Sequence, residues 1–179
     1  MPSPYSTIIQ TLTNNPTLAP HPLYLPVLIA ELSVESSAPR IQSAAQRLDG
    51  LERAAGQHEW LDVAMGDPLT LDFTSATKQL NFASRWLDME VWRCKANLLV
   101  LENVKAEIDF LRNFDAGNEG ARVLKEEGTR LKELIAYHAN TCHNFIHRAE
   151  FEKQRLQTQI AVVCQPSTPL SLLLLQGFN

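Results

Sequence analysis

Residues 80–108 read LNFASRWLDMEVWRCKANLLVLENVKAEI, and an apolar residue returns every seven positions: Leu80, Leu87, Cys94, Leu101 and Ile108. A period of seven is two helical turns, so these five side chains fall on one stripe of a long α-helix. A second row four residues on from the first adds Val91 and Leu98, with Ser84 and Lys105 as its weak points. The pattern extends from Phe73 to about Phe114. At 1.5 Å per residue such a helix is about 60 Å long.

DAGNEG at 115–120 interrupts it with two glycines, an asparagine and an aspartate, the residue types of a tight helix connection. The periodicity then resumes from about Ala121 to Val163. One row holds Leu124, Leu131, His138 and Phe145, and an offset row holds Ile135, Cys142, Ala149, Leu156 and Val163. Two helices of matched length on a short loop pack antiparallel. Leu87, Leu98, Leu101, Ile135, Phe145 and Leu156 are expected among the most buried side chains. Upstream, SAPRIQSAAQRLDGLERAAGQ at 37–57 predicts a shorter amphipathic helix, with Pro39 in its first turn and Gly56 as C-cap. The fold class is therefore all-α: a long antiparallel, coiled-coil-like hairpin with a shorter packed helix and irregular termini.

Residues 1–39 hold Pro2, Pro4, Pro16, Pro20, Pro22, Pro26 and Pro39. Proline lacks an amide donor and disfavours helix in the residue before it, so this segment reads as mostly irregular or extended, with a short helical turn open at SPYSTIIQTL. LPVLIAEL at 25–32 is a buried strand or a helix start, with helix preferred. The chain divides into an irregular segment 1–39, a helical region 40–163 and a tail 164–179. HEWLDVAMGDPLTLD reads as a loop turning at Gly66-Asp67-Pro68.

A net charge of −4 and a pI near 5.7 give no basic surface for nucleic acid. Three cysteines without a CxxC pair, and no signal-peptide pattern at the N-terminus, predict a cytoplasmic chain with reduced thiols. The best candidate for a span, LSLLLL at 170–175, is far short of the roughly 20 residues that cross a bilayer.

Candidate chemistry is sparse. His143 and His147 lie four apart on one helical face, but His138 is nine before His147 and points to the opposite side. No metal site is expected from the three. Cys94 and Cys142 read as small buried hydrophobes on opposite helices, Trp86 and Trp92 as covering the hairpin or facing a partner. Glu126-Glu127, Lys132-Glu133 and Glu150/Glu152/Lys153 read as ordinary charged faces. No phosphate loop, nucleophile elbow or carboxylate pair appears, so no enzyme, catalytic residue or cofactor is expected.

FASRWLDMEVWRCKANLLVLENVKAEIDFLRNF, then GARVLKEEGTRLKELIAYHANTCHNFIHRAEFEKQRLQTQIAVV, with RIQSAAQRLDGLERAAGQ before them, resembles the cytosolic helical region of fungal CorA-like divalent-cation (magnesium) transporter proteins over roughly residues 20–163. The resemblance implies a last helix that runs on as a stalk into a first membrane span. The family's Gly-Met-Asn signature and both spans are missing here, and CQPSTPLSLLLLQGFN stands in their place. It implies a truncated relative that conducts no ions and acts, if at all, by associating with itself or with an intact family member. The alternative is a free-standing soluble dimerisation module.

Overall fold

The computed structural model describes residues 4–56, 66, 70–113 and 119–164, and all regular structure among them is helical. Five helices follow in order: α1 (Pro4–Asn14), α2 (Tyr24–Glu35), α3 (Ser37–Ala54), α4 (Phe73–Asn113) and α5 (Glu119–Cys164). Asp67 and Pro68 of the expected turn, Trp60, the tail beyond 164 and the hairpin connection as far as residue 118 lie outside the described residues.

The helices begin and end where backbone chemistry requires. Asp72 caps α4, its Oδ1 accepting from the amides of Thr74 at 3.0 Å and Ser75 at 3.1 Å. Gly56 closes α3 with φ 69°, its amide donating to the Arg53 carbonyl at 3.1 Å. Helices α2 and α3 almost run together. Pro39 has no amide to bond the Glu35 carbonyl four residues back, and its ring crowds that carbonyl, so α2 ends at Glu35. Ser36 covers the break, its hydroxyl donating to the Ser33 carbonyl at 2.8 Å.

Residues 1–39, read as mostly irregular, carry α1, where SPYSTIIQTL left a helical turn open, and α2, which holds the preferred helix at 25–32. Pro4 opens α1, Pro26 is the third residue of α2 and Pro39 the third of α3. In a first turn the amide has no intrahelical partner, so proline costs nothing there. The prolines punctuate helices instead of preventing them. His21 assists the start of α2: its Nδ1 accepts from the Leu23 amide at 3.2 Å.

The chain forms two compact units. Unit one comprises Met1–Arg40 and Glu90–Arg148. Its core joins Tyr24, Val27 and Ala30 of α2 to Leu101, Val104 and Ile108 of α4 and to Leu131 and Ile135 of α5. A second cluster joins Val34, Cys94, Cys142 and Ile146. The Lys132 ammonium binds Asp109, while Cys142 shares a buried cluster with Cys94. Numbers that rise on α5 as they fall on α4 mark the two helices as antiparallel. Unit two comprises Ile41–Met89 and Ala149–Asn179 and buries Ile41 and Leu48 of α3, Leu80 and Leu87 of α4, and Ala149 and Leu156 of α5. There Lys153 reaches Asp88 at 2.5 Å. Gly66 lies so close to α3 that an added Cβ would sit 2.8 Å from the Ala54 carbonyl oxygen, so only glycine fits.

On α4 the row Leu80, Leu87, Cys94, Leu101, Ile108 is fully buried, as its spacing predicts. The second row is not Val91 and Leu98, which are half-buried. It is Ala76, Ala83, Glu90, Asn97 and Val104, three residues on from the first row. A heptad stripe alternates steps of four and three, and two members of this row are polar. On α5, Leu131, His138, Ile135, Cys142, Ala149 and Leu156 are buried as expected, while Phe145 is half-buried and Leu124 exposed. Glu127 and Glu152, read as surface charges, are buried as well.

Candidate functional site

Residues 90–102 of α4 present two faces with distinct chemistry, both within unit one. The inner face carries Glu90, Cys94 and Asn97. Glu90 is 1% exposed, yet it lies in a helical seam. Arg93 Nη1 donates to both its carboxylate oxygens at 3.0 Å, and Arg40 Nη1 donates to Oε1 at 3.3 Å. Burial raises the Glu90 carboxyl above its ordinary range, while the Ser37 hydroxyl and the Arg40 charge pull it back down. Asn97 Nδ2 donates to Ser33 Oγ at 3.0 Å. Each polar seam residue thus finds its partner on α2 or α3, and these pairs fix which turn of those helices meets which turn of α4.

Cys94 and Cys142 come together in the seam, both fully buried and unbridged. They share one buried cluster with Val34 and Ile146, and the Cys94 thiol donates to Ser37 Oγ at 3.9 Å. The neighbouring Cys142 lowers the Cys94 thiol, against burial and the Glu90 charge, while Cys94 and burial push Cys142 up.

His138, 4% exposed, sits with Nε2 at 3.8 Å from Glu31 Oε2 and without a hydrogen-bond partner on that nitrogen. Burial lowers its pKa, with Glu35 opposing, and burial raises the Glu31 carboxyl, reinforced by Glu35. The imidazole is therefore neutral near pH 7. His143 and His147 are exposed. Among the described residues no three His, Cys, Asp or Glu side chains gather closely enough to hold a metal ion.

The outer face of the same α4 segment is apolar at its centre. Trp92 is 73% exposed and Leu99 60%, and Val100 lies beside them. The exposed Lys95 and Glu102 complete a 3-4-3 row, Trp92–Lys95–Leu99–Glu102, along one side of the helix. Of the two readings open for Trp92 in the sequence, the outward one holds.

Unit two offers a different set of contacts. The rings of Phe82 and Trp86 lie 5.1 Å apart, and the Arg47 guanidinium stacks over Phe82 at 5.2 Å. Arg155 donates to Asp49 at 2.8 Å, Glu52 at 2.5 Å and the buried Glu152 at 2.8 Å. Burial alone would lower the Arg155 guanidinium, but Asp49 and Glu52 outweigh it and hold it above its ordinary value. An open cleft of about 400 Å³ lies between Arg47 and Leu51 of α3 and Asp72, Ser75 and Gln79 of the α4 start.

The polar seam was missed in the sequence because polar letters hide a heptad row. Its signal was the step of three: Glu90 and Asn97 complete the alternation that Val91 and Leu98 do not. No protein-family model, no curated protein and no solved structure matches this chain.

Proposed function

We propose that the chain is a helical association module that pairs with a second copy of itself through the outer face of α4. The observation that carries this reading is the row Trp92–Lys95–Leu99–Glu102. A helix whose inner seam is already filled normally turns polar residues outward, whereas this segment turns out a tryptophan and two aliphatics. The charges favour a copy over a foreign partner. A two-fold axis crossing α4 midway between 95 and 102 brings Lys95 of one copy to Glu102 of the other, and the reverse, while Leu99 packs near the axis.

The test is molar mass by light scattering across micromolar concentrations. The parent chain is expected above the 20.1 kDa monomer. Trp92→Lys with Leu99→Lys returns it to monomer mass. Lys95→Glu weakens the dimer, and adding Glu102→Lys restores it, since like charges now face opposite ones again. A parent that stays monomeric, or a charge exchange that rescues nothing, defeats the reading.

An origin as the cytosolic part of a CorA-like transporter remains a second proposal, supported by the order and length of α4 and α5, 41 and 46 residues. Among the described residues no helix is long and apolar enough to cross a membrane. On that proposal the purified chain moves no magnesium into liposomes; uptake above empty vesicles refutes it.

A further inference from the structure

We propose that His143 and His147 on the outer face of α5 are a two-imidazole chelate for a transition-metal dication such as Zn²⁺ or Ni²⁺. Four residues advance a helix by about 6 Å and turn it about 40° past a full circle, so both side chains rise from one face, one above the other. At that spacing the Cβ atoms stand about 5–6 Å apart. Each imidazole can then bring a ring nitrogen to about 2.0–2.1 Å from a shared ion. Both residues are exposed, so an ion reaches them without any opening of the fold.

Two features of the surroundings set this pair apart from ordinary surface histidines. The first is rigidity. Both residues lie well inside α5, and the residues just before them, Cys142 and Ile146, are buried with Val34 and Cys94. The core holds the turn that carries the pair, so the two ligands are positioned before an ion arrives. The second is charge. From Leu134 to His147 the chain has no aspartate, glutamate, lysine or arginine. No ammonium or guanidinium of this stretch repels a cation, and no carboxylate of this stretch competes for an imidazole. His138 stays outside the pair: it is five residues before His143, about 140° round the helix, and is buried beside Glu31.

The donor set selects the ion. Imidazole nitrogen suits zinc, nickel and copper, whereas magnesium and calcium take oxygen ligands. The chain supplies two ligands and water completes the shell, so the ion is held in an open site, not a closed cage. The chelate exists only while the helix is formed, and bound metal therefore favours the folded chain.

The test uses the full chain with Cys164→Ser, which removes a thiol that binds the same metals. Equilibrium dialysis against nickel chloride counts bound metal, and thermal melting is followed by circular dichroism. The expected result is one nickel ion per chain at micromolar free metal and a melting temperature several degrees higher with nickel. His143→Ala and His147→Ala each weaken nickel binding at least tenfold and remove the shift. Both put the best helix former at an exposed position, so the helix is kept. His143→Asn combined with Asn140→His preserves composition and exposure but sets the imidazoles seven residues apart, about 10 Å, too far for one ion. That exchange also weakens binding at least tenfold. Magnesium at the same concentration neither displaces nickel nor raises the melting temperature. A loss of less than tenfold in any of the three variants overturns the proposal. So does a parent that retains no nickel, or magnesium that displaces it.

Discussion

The Glu90 clamp allows a sharp test of what a buried charge contributes. At an effective dielectric constant of about 20, each guanidinium near 4 Å attracts the carboxylate by about 4 kcal/mol before desolvation is subtracted. The subtraction falls unequally. Glu90 is 1% exposed, whereas the side chains of Arg40 and Arg93 keep 37% and 25% exposure. Replacing both arginines by methionine strands the carboxylate in the seam and should cost about 3–5 kcal/mol. Replacing Glu90 by leucine leaves two arginines that can reach water and removes one of the two polar members of the row. That variant should stay within about 1 kcal/mol of the parent. Adding Glu90→Leu to the double arginine variant should recover most of its loss, and the cycle isolates the coupling. Urea unfolding followed by circular dichroism measures all four proteins. The pH dependence supplies a second check. The folded Glu90 carboxyl lies above its unfolded value of 4.5, so its stabilising contribution is complete below that pH and is lost as pH rises through the folded value. The deficit of the double arginine variant should therefore shrink toward acid. If Glu90→Leu is as damaging as losing both arginines, the clamp is a source of stability in its own right and the reasoning fails.

Truncating Leu101 to alanine should cost about 2–5 kcal/mol, since the side chain is 1% exposed, while half-buried Leu98→Ala should cost clearly less. Equal melting curves for the two would misplace the seam. His138 reports in the acid range. Its folded pKa lies below 6.5, so its contribution is present above that pH and is lost as pH falls. Between about pH 7.5 and 5, His138→Gln should lose less unfolding free energy than the parent, and subtracting the two curves cancels the opposite trend of Glu31. Parallel curves would show that His138 takes up its proton without penalty.

The hairpin was legible because Leu80, Leu87, Cys94, Leu101 and Ile108 are all apolar and fall on one step of seven. Its second row was not. Beside Arg93 on the same helix, Glu90 and Asn97 are answered by Arg40 and Ser33, 50 and 64 residues earlier, which announce nothing locally. Glu152 was hidden in the same way, its charge answered by an arginine that also reaches Asp49 and Glu52 about a hundred residues upstream. The N-terminal helices were obscured by prolines, whose effect reverses with position: a helix breaker in the middle is a neutral residue in the first turn. The meeting of Cys94 and Cys142 could be read only as far as opposite rows. Their shared layer depends on the length of the connection and on the pitch of both helices, and spacing within one helix encodes neither.

Helix α2 draws its burial from helices encoded far downstream. Tyr24, Val27 and Ala30 are covered by α4 and α5 residues as late as Ile135. A ribosome adds about 5–20 residues per second, so roughly a hundred residues of synthesis hold this apolar helix uncovered for about 5–20 s. Until the hairpin emerges, Tyr24, Val27 and Ala30 of the nascent helix stay uncovered. Slowing translation between α2 and α5 should raise aggregation of the newborn chain without altering the stability of the finished protein.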